Sequence, residues 1–123
     1  MIKILLVEDH THTRQLLRTL LEMEGYYVII PPAPNPQSIL SLVQAEHPPL
    51  MILDAHLQEF SGFDVLASLQ QLDPNRRPKV ILTSGEDLGL ESELAGADAF
   101  LLKPFAPQQL FYLIQKLNAR DSL

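Results

Sequence analysis

Five polar positions hold the groups in this chain best suited to shared chemistry: Glu8 and Asp9, Asp54, Thr83 and Lys103. Each comes as a short apolar run ends. The clearest case is LMILDAHLQEFSG over residues 50–62, where one aspartate closes four large apolar residues. Gathered in one place, such groups suit phosphoryl transfer. A carboxylate accepts a phosphoryl group covalently once it is oriented and its repulsion toward an anionic donor is removed. Clustering alone does not remove that repulsion. Three carboxylates at about −3 and one lysine at about +1 leave a pocket near −2 until a divalent cation neutralises it. Magnesium takes one or two carboxylates with phosphate oxygens and waters, which suits an acidic set lacking a His or Cys cluster. A lysine and a threonine hydroxyl then bind oxygens of the transferred group electrostatically.

These residues can meet only if the elements carrying them end at a common edge. The run Leu50 to Leu53 has no polar alternation, the mark of a strand buried on both faces of a parallel sheet. Ile2 to Val7, Tyr26 to Ile30, Lys79 to Thr83 and Ala99 to Leu102 read as four further strands. Between them lie helical patterns: Leu16, Leu17, Leu20 and Leu21 up to Gly25, then Ile39, Leu40 and Val43 after the cap and first-turn pair Asn35-Pro36. Val65, Leu66, Leu69 and Leu72 form a third helix closed by Asp73-Pro74-Asn75, and Leu88, Leu90 and Leu94 a short fourth ending near Gly96. Leu110, Leu113, Ile114 and Leu117 give the last, a spacing that turns Tyr112, Gln108, Gln115 and Lys116 outward.

Five alternating βα units predict an α/β, doubly wound three-layer sandwich with right-handed crossovers. Ligands of such folds bind beyond the carboxyl ends of the strands, so Glu8, Asp9, Asp54, Thr83-Ser84 and Lys103-Pro104 are expected to converge. Composition is in keeping with one domain over 1–123: 46% of the 123 residues are hydrophobic and 20% charged. A formal charge of −6, with only Arg76-Arg77 adjacent among the basic residues, argues against a nucleic-acid surface. The absence of cysteine excludes a disulfide framework and a thiolate metal site and is compatible with a cytoplasmic protein. MIKILLVED is too short and too soon acidic for a signal peptide or a membrane span.

The acidic pair Glu8-Asp9, Asp54 with Gly62 eight positions on, Thr83 and the segment GADAFLLKPF over 96–105, in that order, resemble the receiver domain of a two-component response regulator over essentially the whole chain. The resemblance implies a flavodoxin-like five-stranded sheet in the order 2-1-3-4-5. It implies Asp54 as phosphoacceptor, and Mg²⁺ held by Asp9 directly, Glu8 through water, Asp54, and the backbone carbonyl of His56. Thr83 would contact the phosphoryl group, Lys103 would pair with it, and Phe100 would occupy the family's switch-aromatic position. The implied partners are a histidine kinase or histidine phosphotransfer protein, an unidentified downstream protein or effector domain, and a second copy of the chain, with no direct nucleic acid and no membrane. The implied role is a regulatory phosphoacceptor that takes part only in its own phosphorylation and dephosphorylation, altering the surface around the fourth and fifth helices.

The chain departs from the family pattern at several points. Gln58 stands where the family usually has proline, which predicts a looser loop after Asp54. The interval from Thr83 to Lys103 is about two residues short by comparison with the family, which predicts a short or displaced fourth helix. The charge pattern that cross-links one class of DNA-binding regulators is not evident. Each residue also has an ordinary structural reading: Glu8-Asp9 as helix-capping carboxylates, Thr83 as a β-branched strand end, Lys103 as a surface lysine, Phe100 as core. His10 and His12 read as solvent-exposed and His47 as a helix-end residue. Two other functions are weighed: a docking module independent of phosphorylation, and an Asp-nucleophile phosphatase or phosphotransferase. The latter commonly has a second Asp two residues after the nucleophile, where this chain has His56. With no effector domain after Leu123, either a stand-alone receiver or a piece of a longer regulator is expected, and Ala119 to Leu123 read as a frayed or truncated end.

Overall fold

The computed structural model describes residues 2–121, with side chains through residue 118. Its elements alternate as β1 (Lys3–Val7), α1 (Thr11–Met23), β2 (Tyr27–Ile29), α2 (Pro36–Glu46), β3 (Leu50–Asp54), α3 (Gly62–Leu69), β4 (Lys79–Ser84), α4 (Gly89–Leu94), β5 (Ala99–Leu102) and α5 (Pro107–Asp121). A single 3-10 turn, Pro74–Arg76, replaces the turn expected at Asp73-Pro74-Asn75. The five strands form one parallel sheet in the order β2-β1-β3-β4-β5, as the doubly wound reading requires. The frayed end expected over Ala119–Leu123 falls on residues outside the described side chains.

Alternation along the strands divides the core in two. Ile4, Leu6, Leu50, Ile52, Ile81 and Leu101 face α1 and α5, where Leu17, Leu21, Leu110, Ile114 and Leu117 meet them. Leu5, Val7, Met51, Leu53, Val80 and Leu82 face the other way, onto Ile39, Leu40 and Val43 of α2 and Val65, Leu66 and Leu69 of α3. Every residue of β3 is buried, which explains its unbroken apolar run up to Asp54. Local signals place the helices. The Asn35 side chain accepts from Ser38 N–H at 2.8 Å and Ser38 Oγ accepts from Asn35 N–H at 3.0 Å, a capping box that starts α2 immediately after its proline-rich approach.

Two helices turn differently from the leucine spacing. In α1 only Leu17 and Leu21 are buried; Leu20 is half-buried and Leu16 is 60% exposed. The sequence doubles its leucines, and a helix lying on one layer buries one i, i+4 pair and leaves the neighbouring pair about 100° away. In α4 the inward face is Leu88, Ser92 and Ala95, spaced i, i+4, i+7, while Leu90 and Leu94 face solvent. As expected from the shortened interval before Lys103, α4 has six residues.

The buried Leu17 and exposed Leu16 give a direct check on the rotation of α1. Leu17→Ala is expected to lose about 2–5 kcal/mol in urea unfolding, and Leu16→Ala to stay within about 0.5 kcal/mol of the parent chain. Equal losses would mean that the helix is turned differently.

Candidate functional site

Parity carries the polar groups to one side of the sheet. Glu8 continues the alternation of Ile4 and Leu6, Asp54 that of Leu50 and Ile52, Thr83 that of Ile81, and Lys103 that of Leu101, all on the α1/α5 side. Register aligns them, with Val7 opposite Leu53, Asp54 opposite Thr83, and Thr83 opposite Leu101. The sheet reverses its winding at β1 and β3, the strands that deliver Glu8 and Asp54, so the set stands at the topological switch point.

Lys103 joins the acidic groups. Its Nζ donates to Glu8 Oε1 at 2.8 Å and to Asp54 Oδ2 at 3.1 Å. Both carboxylates are buried, whereas the lysine side chain keeps a quarter of its surface exposed. The Lys103–Pro104 peptide is cis. Burial lowers the Lys103 pKa, but the hydrogen bonds and charges of Glu8 and Asp54 outweigh it, leaving the ammonium above its ordinary 10.5. The stabilisation from this pairing is therefore full below that ordinary value and is lost as pH rises through the higher folded one.

Backbone groups complete the acidic corner. His56 N–H donates to Asp54 Oδ1 at 3.1 Å, His10 N–H to Glu8 Oε2 at 3.2 Å, and Gln58 N–H to Asp9 Oδ2 at 2.5 Å. Arg14 Nη1 donates to the carbonyls of Glu8 and Asp9 at 3.2 and 3.4 Å, tying the β1–α1 turn to its helix. The loop after Asp54 is thus tied down, contrary to the looser loop expected from Gln58. Proline has no N–H, so Gln58 makes a contact to Asp9 that proline could not. A bridge between His56 and Ser61 and the bond from Gly62 N–H to Ala55 O at 2.8 Å hold the rest of this loop.

The structure brings together Glu8, Asp54 and Lys103 through direct contacts, joins Asp9 to them through the Gln58 loop, and sets Thr83, 2% exposed, beside Asp54 in the ladder. Phe100 is not in this group. It pairs with Leu82 and lies on the opposite face of the sheet from Thr83, half-buried against the α2/α3 core. His10 and His12 are exposed, and His47 caps the end of α2 in the left-handed conformation at φ 49°. Sequence reasoning missed Arg14, the Gln58 N–H, and Glu86, whose Oε1 lies 3.4 Å from His56 Nε2. Backbone donors leave no residue-type signal, whereas Arg14, one turn into α1 after an acidic pair, could have been noticed.

Among the described residues no three His, Cys, Asp or Glu side chains are grouped as metal ligands. The hydrogen bonds explain the arrangement: Lys103 takes the space between Glu8 and Asp54, and Asp9 turns toward Gln58. The donor chemistry nonetheless suits a magnesium ion, which needs only one or two carboxylates and retains waters.

Comparison with known proteins decides the family. Residues 4–115 match the family described as the response regulator receiver domain. The chain belongs to the response regulator receiver family. It is 35% identical over 123 residues to a probable transcriptional regulator, ycf27, of Cyanophora paradoxa, covering 96% of this chain and 48% of that protein. It is 37% identical over 124 residues to the transcriptional regulatory protein CpxR of Escherichia coli, covering 97% of this chain and 50% of that one. Among solved structures it resembles response regulator TrrA of Thermotoga maritima in complex with Mg²⁺ and BeF, with TM-score 0.80, 28% identity and coverage of 95% of this chain and 99% of that one. The receiver thus spans about half the length of these two curated regulators. As a receiver it is a phosphorylation-activated switch of two-component signalling. Among the described residues no helix is long and apolar enough to cross a membrane.

Gly62 is the tightest point of the site. A Cβ there would stand 2.6 Å from the Asp54 carbonyl oxygen and 3.0 Å from Ala55 Cα, both backbone, whereas one at Gly85 would meet nothing within 4 Å. Gly62→Ala is expected to cost roughly 1–3 kcal/mol, measured by thermal unfolding, with Gly85→Ala nearly neutral. A neutral Gly62→Ala would show that the backbone of Asp54 is not held from this side.

Proposed function

We propose that Asp54 is the residue of this receiver that takes the phosphoryl group, donated by a histidine kinase or a histidine phosphotransfer protein. The observation that carries the reading is the Lys103 ammonium shared between Asp54 and Glu8 at the carboxyl edge of the sheet. An Asp54 carboxylate oxygen attacks phosphorus, a P–O bond forms, and the P–N bond to the donor imidazole breaks. The electron pair stays on that nitrogen, and with the other ring nitrogen of the phosphohistidine protonated the donor leaves as a neutral imidazole. Lys103 and the Thr83 hydroxyl bind phosphoryl oxygens as Asp54 loses its own charge to the acyl phosphate. Asp9, Glu8, Asp54 and the His56 carbonyl would hold Mg²⁺, which offsets the negative charge of acceptor and donor. Lys103 would then leave Glu8 for the incoming group, and the change around Thr83 would pass to Phe100 and the surface of α4 and α5.

A feature beside the site suits a protein donor. Leu16, Leu17 and Leu20 of α1 with Lys103, Pro104, Phe105 and Pro107 line a largely apolar groove of about 410 Å³. A partner seated there approaches Asp54 along the face that carries the acceptor. The reading of the domain as a docking module without phosphorylation has no observation in its favour, since every group needed for the chemistry is present.

The test is phosphoryl uptake from acetyl phosphate. Uptake is expected on Asp54, mapped by peptide mass, to stop on chelation of Mg²⁺, and to be absent at that position in Asp54→Asn. Phosphate on another residue of the parent chain, or uptake undiminished by chelator, would overturn the assignment.

A further inference from the structure

Of the three carboxylates in the acidic corner, Asp9 is the one that does not bond to Lys103. Its Oδ2 accepts instead from the backbone N–H of Gln58 at 2.5 Å, across 49 positions of the chain. Hydrogen bonds to an ionised oxygen are among the stronger ones a backbone amide makes. The remainder of the loop that carries Gln58 is held independently. At its base Ala55 N–H donates to Thr83 O and Gly62 N–H to Ala55 O, both at 2.8 Å, and His56 bridges to Ser61. Leu57 and Phe60 lie partly buried against the core. Among the described residues, the Gln58 amide therefore gives this loop its one hydrogen bond to the turn between β1 and α1.

That amide and a divalent cation draw on the same negative charge. With Asp9 turned to the loop, no three acidic or histidine side chains among the described residues are grouped as ligands, so joining Glu8 and Asp54 around a cation requires the Asp9 carboxylate to turn away from Gln58. A carboxylate released from a hydrogen bond pays for that bond in metal affinity. We propose that Gln58 N–H is a latch on Asp9, a role that rests on reading Asp9 as a cation ligand: the amide holds the carboxylate in the metal-free molecule, and Asp9 exchanges it for Mg²⁺. The glutamine side chain takes no part, and any residue but proline could serve, because proline alone has no N–H to give. The latch has two consequences. It lowers the affinity for the cation, and it ties cation loading to the β3–α3 loop, whose tip loses its hydrogen bond to the β1–α1 turn when Asp9 turns away.

Two measurements test the latch without phosphoryl transfer: calorimetric titration with Mg²⁺, and exchange of the Gln58 amide proton followed by NMR. Gln58→Pro, which deletes the donor, is expected to bind Mg²⁺ about three- to tenfold more tightly than the parent chain, the factor that one hydrogen bond of ordinary net strength represents. Gln58→Ala keeps the N–H and is expected to match the parent. In the parent chain the Gln58 amide is expected to exchange slowly without metal and faster at saturating Mg²⁺, while the Gly62 amide at the base of the loop stays as it was. Asp9→Ala is expected to free the Gln58 amide with no metal added and to abolish the calorimetric signal. The exchange measurements on the parent and on Asp9→Ala do not depend on the proline variant folding. Absence of Mg²⁺ binding to the parent chain, or binding that Asp9→Ala leaves intact, would overturn the cation site and the latch with it. Binding that requires Asp9 while the Gln58 amide stays protected at saturating Mg²⁺, or a folded Gln58→Pro that binds no more tightly than the parent, would overturn the latch and leave the site standing.

Discussion

The ammonium of Lys103 between two buried carboxylates is the constraint on which the rest of this structure depends. Glu8 and Asp54 end neighbouring strands of one sheet face, and without a counter-charge their mutual repulsion in a poorly solvated corner would oppose the register that joins β1 to β3. Lys103 directly follows β5, the strand at the far edge of the sheet, and bonds to both. The last strand is thereby tied to the first. The groups that tie these strands together thus meet at Asp54, in a corner whose charge is only partly balanced.

The two faces of the sheet divide the work. Glu8, Asp54, Thr83 and Lys103 stand on the α1/α5 side, where an apolar groove lies beside Lys103. Phe100 and α4 stand on the other side, one residue away along β5 from Leu101, which is paired with Thr83. Any signal from Asp54 to Phe100 therefore has to pass through the β4–β5 ladder or the loops above it. A six-residue α4 anchored by Leu88, Ser92 and Ala95 has little apolar area holding it down, in keeping with an element that responds to its surroundings.

The sheet and its polar edge were legible because a parallel strand buried on both faces must be almost wholly apolar, and a carboxylate or lysine ending such a run is conspicuous. Asp54 after LMIL and Lys103 after AFLL are examples, and their convergence followed from the strand order. Helix rotation was less legible. The doubled leucines of α1 suit two rotations equally, and packing alone selects Leu17 and Leu21. In α4 the leucines misled, because Leu88 and Ala95 with a small buried serine make a sufficient inner face for a helix of this length. The bond from Gln58 N–H to Asp9 was hidden for another reason: it depends on a backbone group, and residue type shows only that proline would forbid it.

The most direct test of the central claim is a double-mutant cycle between Lys103 and Glu8, read by urea unfolding in metal-free buffer. Lys103→Met strands two buried carboxylates in the parent chain, whereas in the Glu8→Gln background it strands one. The account predicts that Lys103→Met is less damaging in that background, with a coupling of about 1 kcal/mol or more. Costs that add within about 0.5 kcal/mol would contradict the claim that this ammonium holds the acidic edge together.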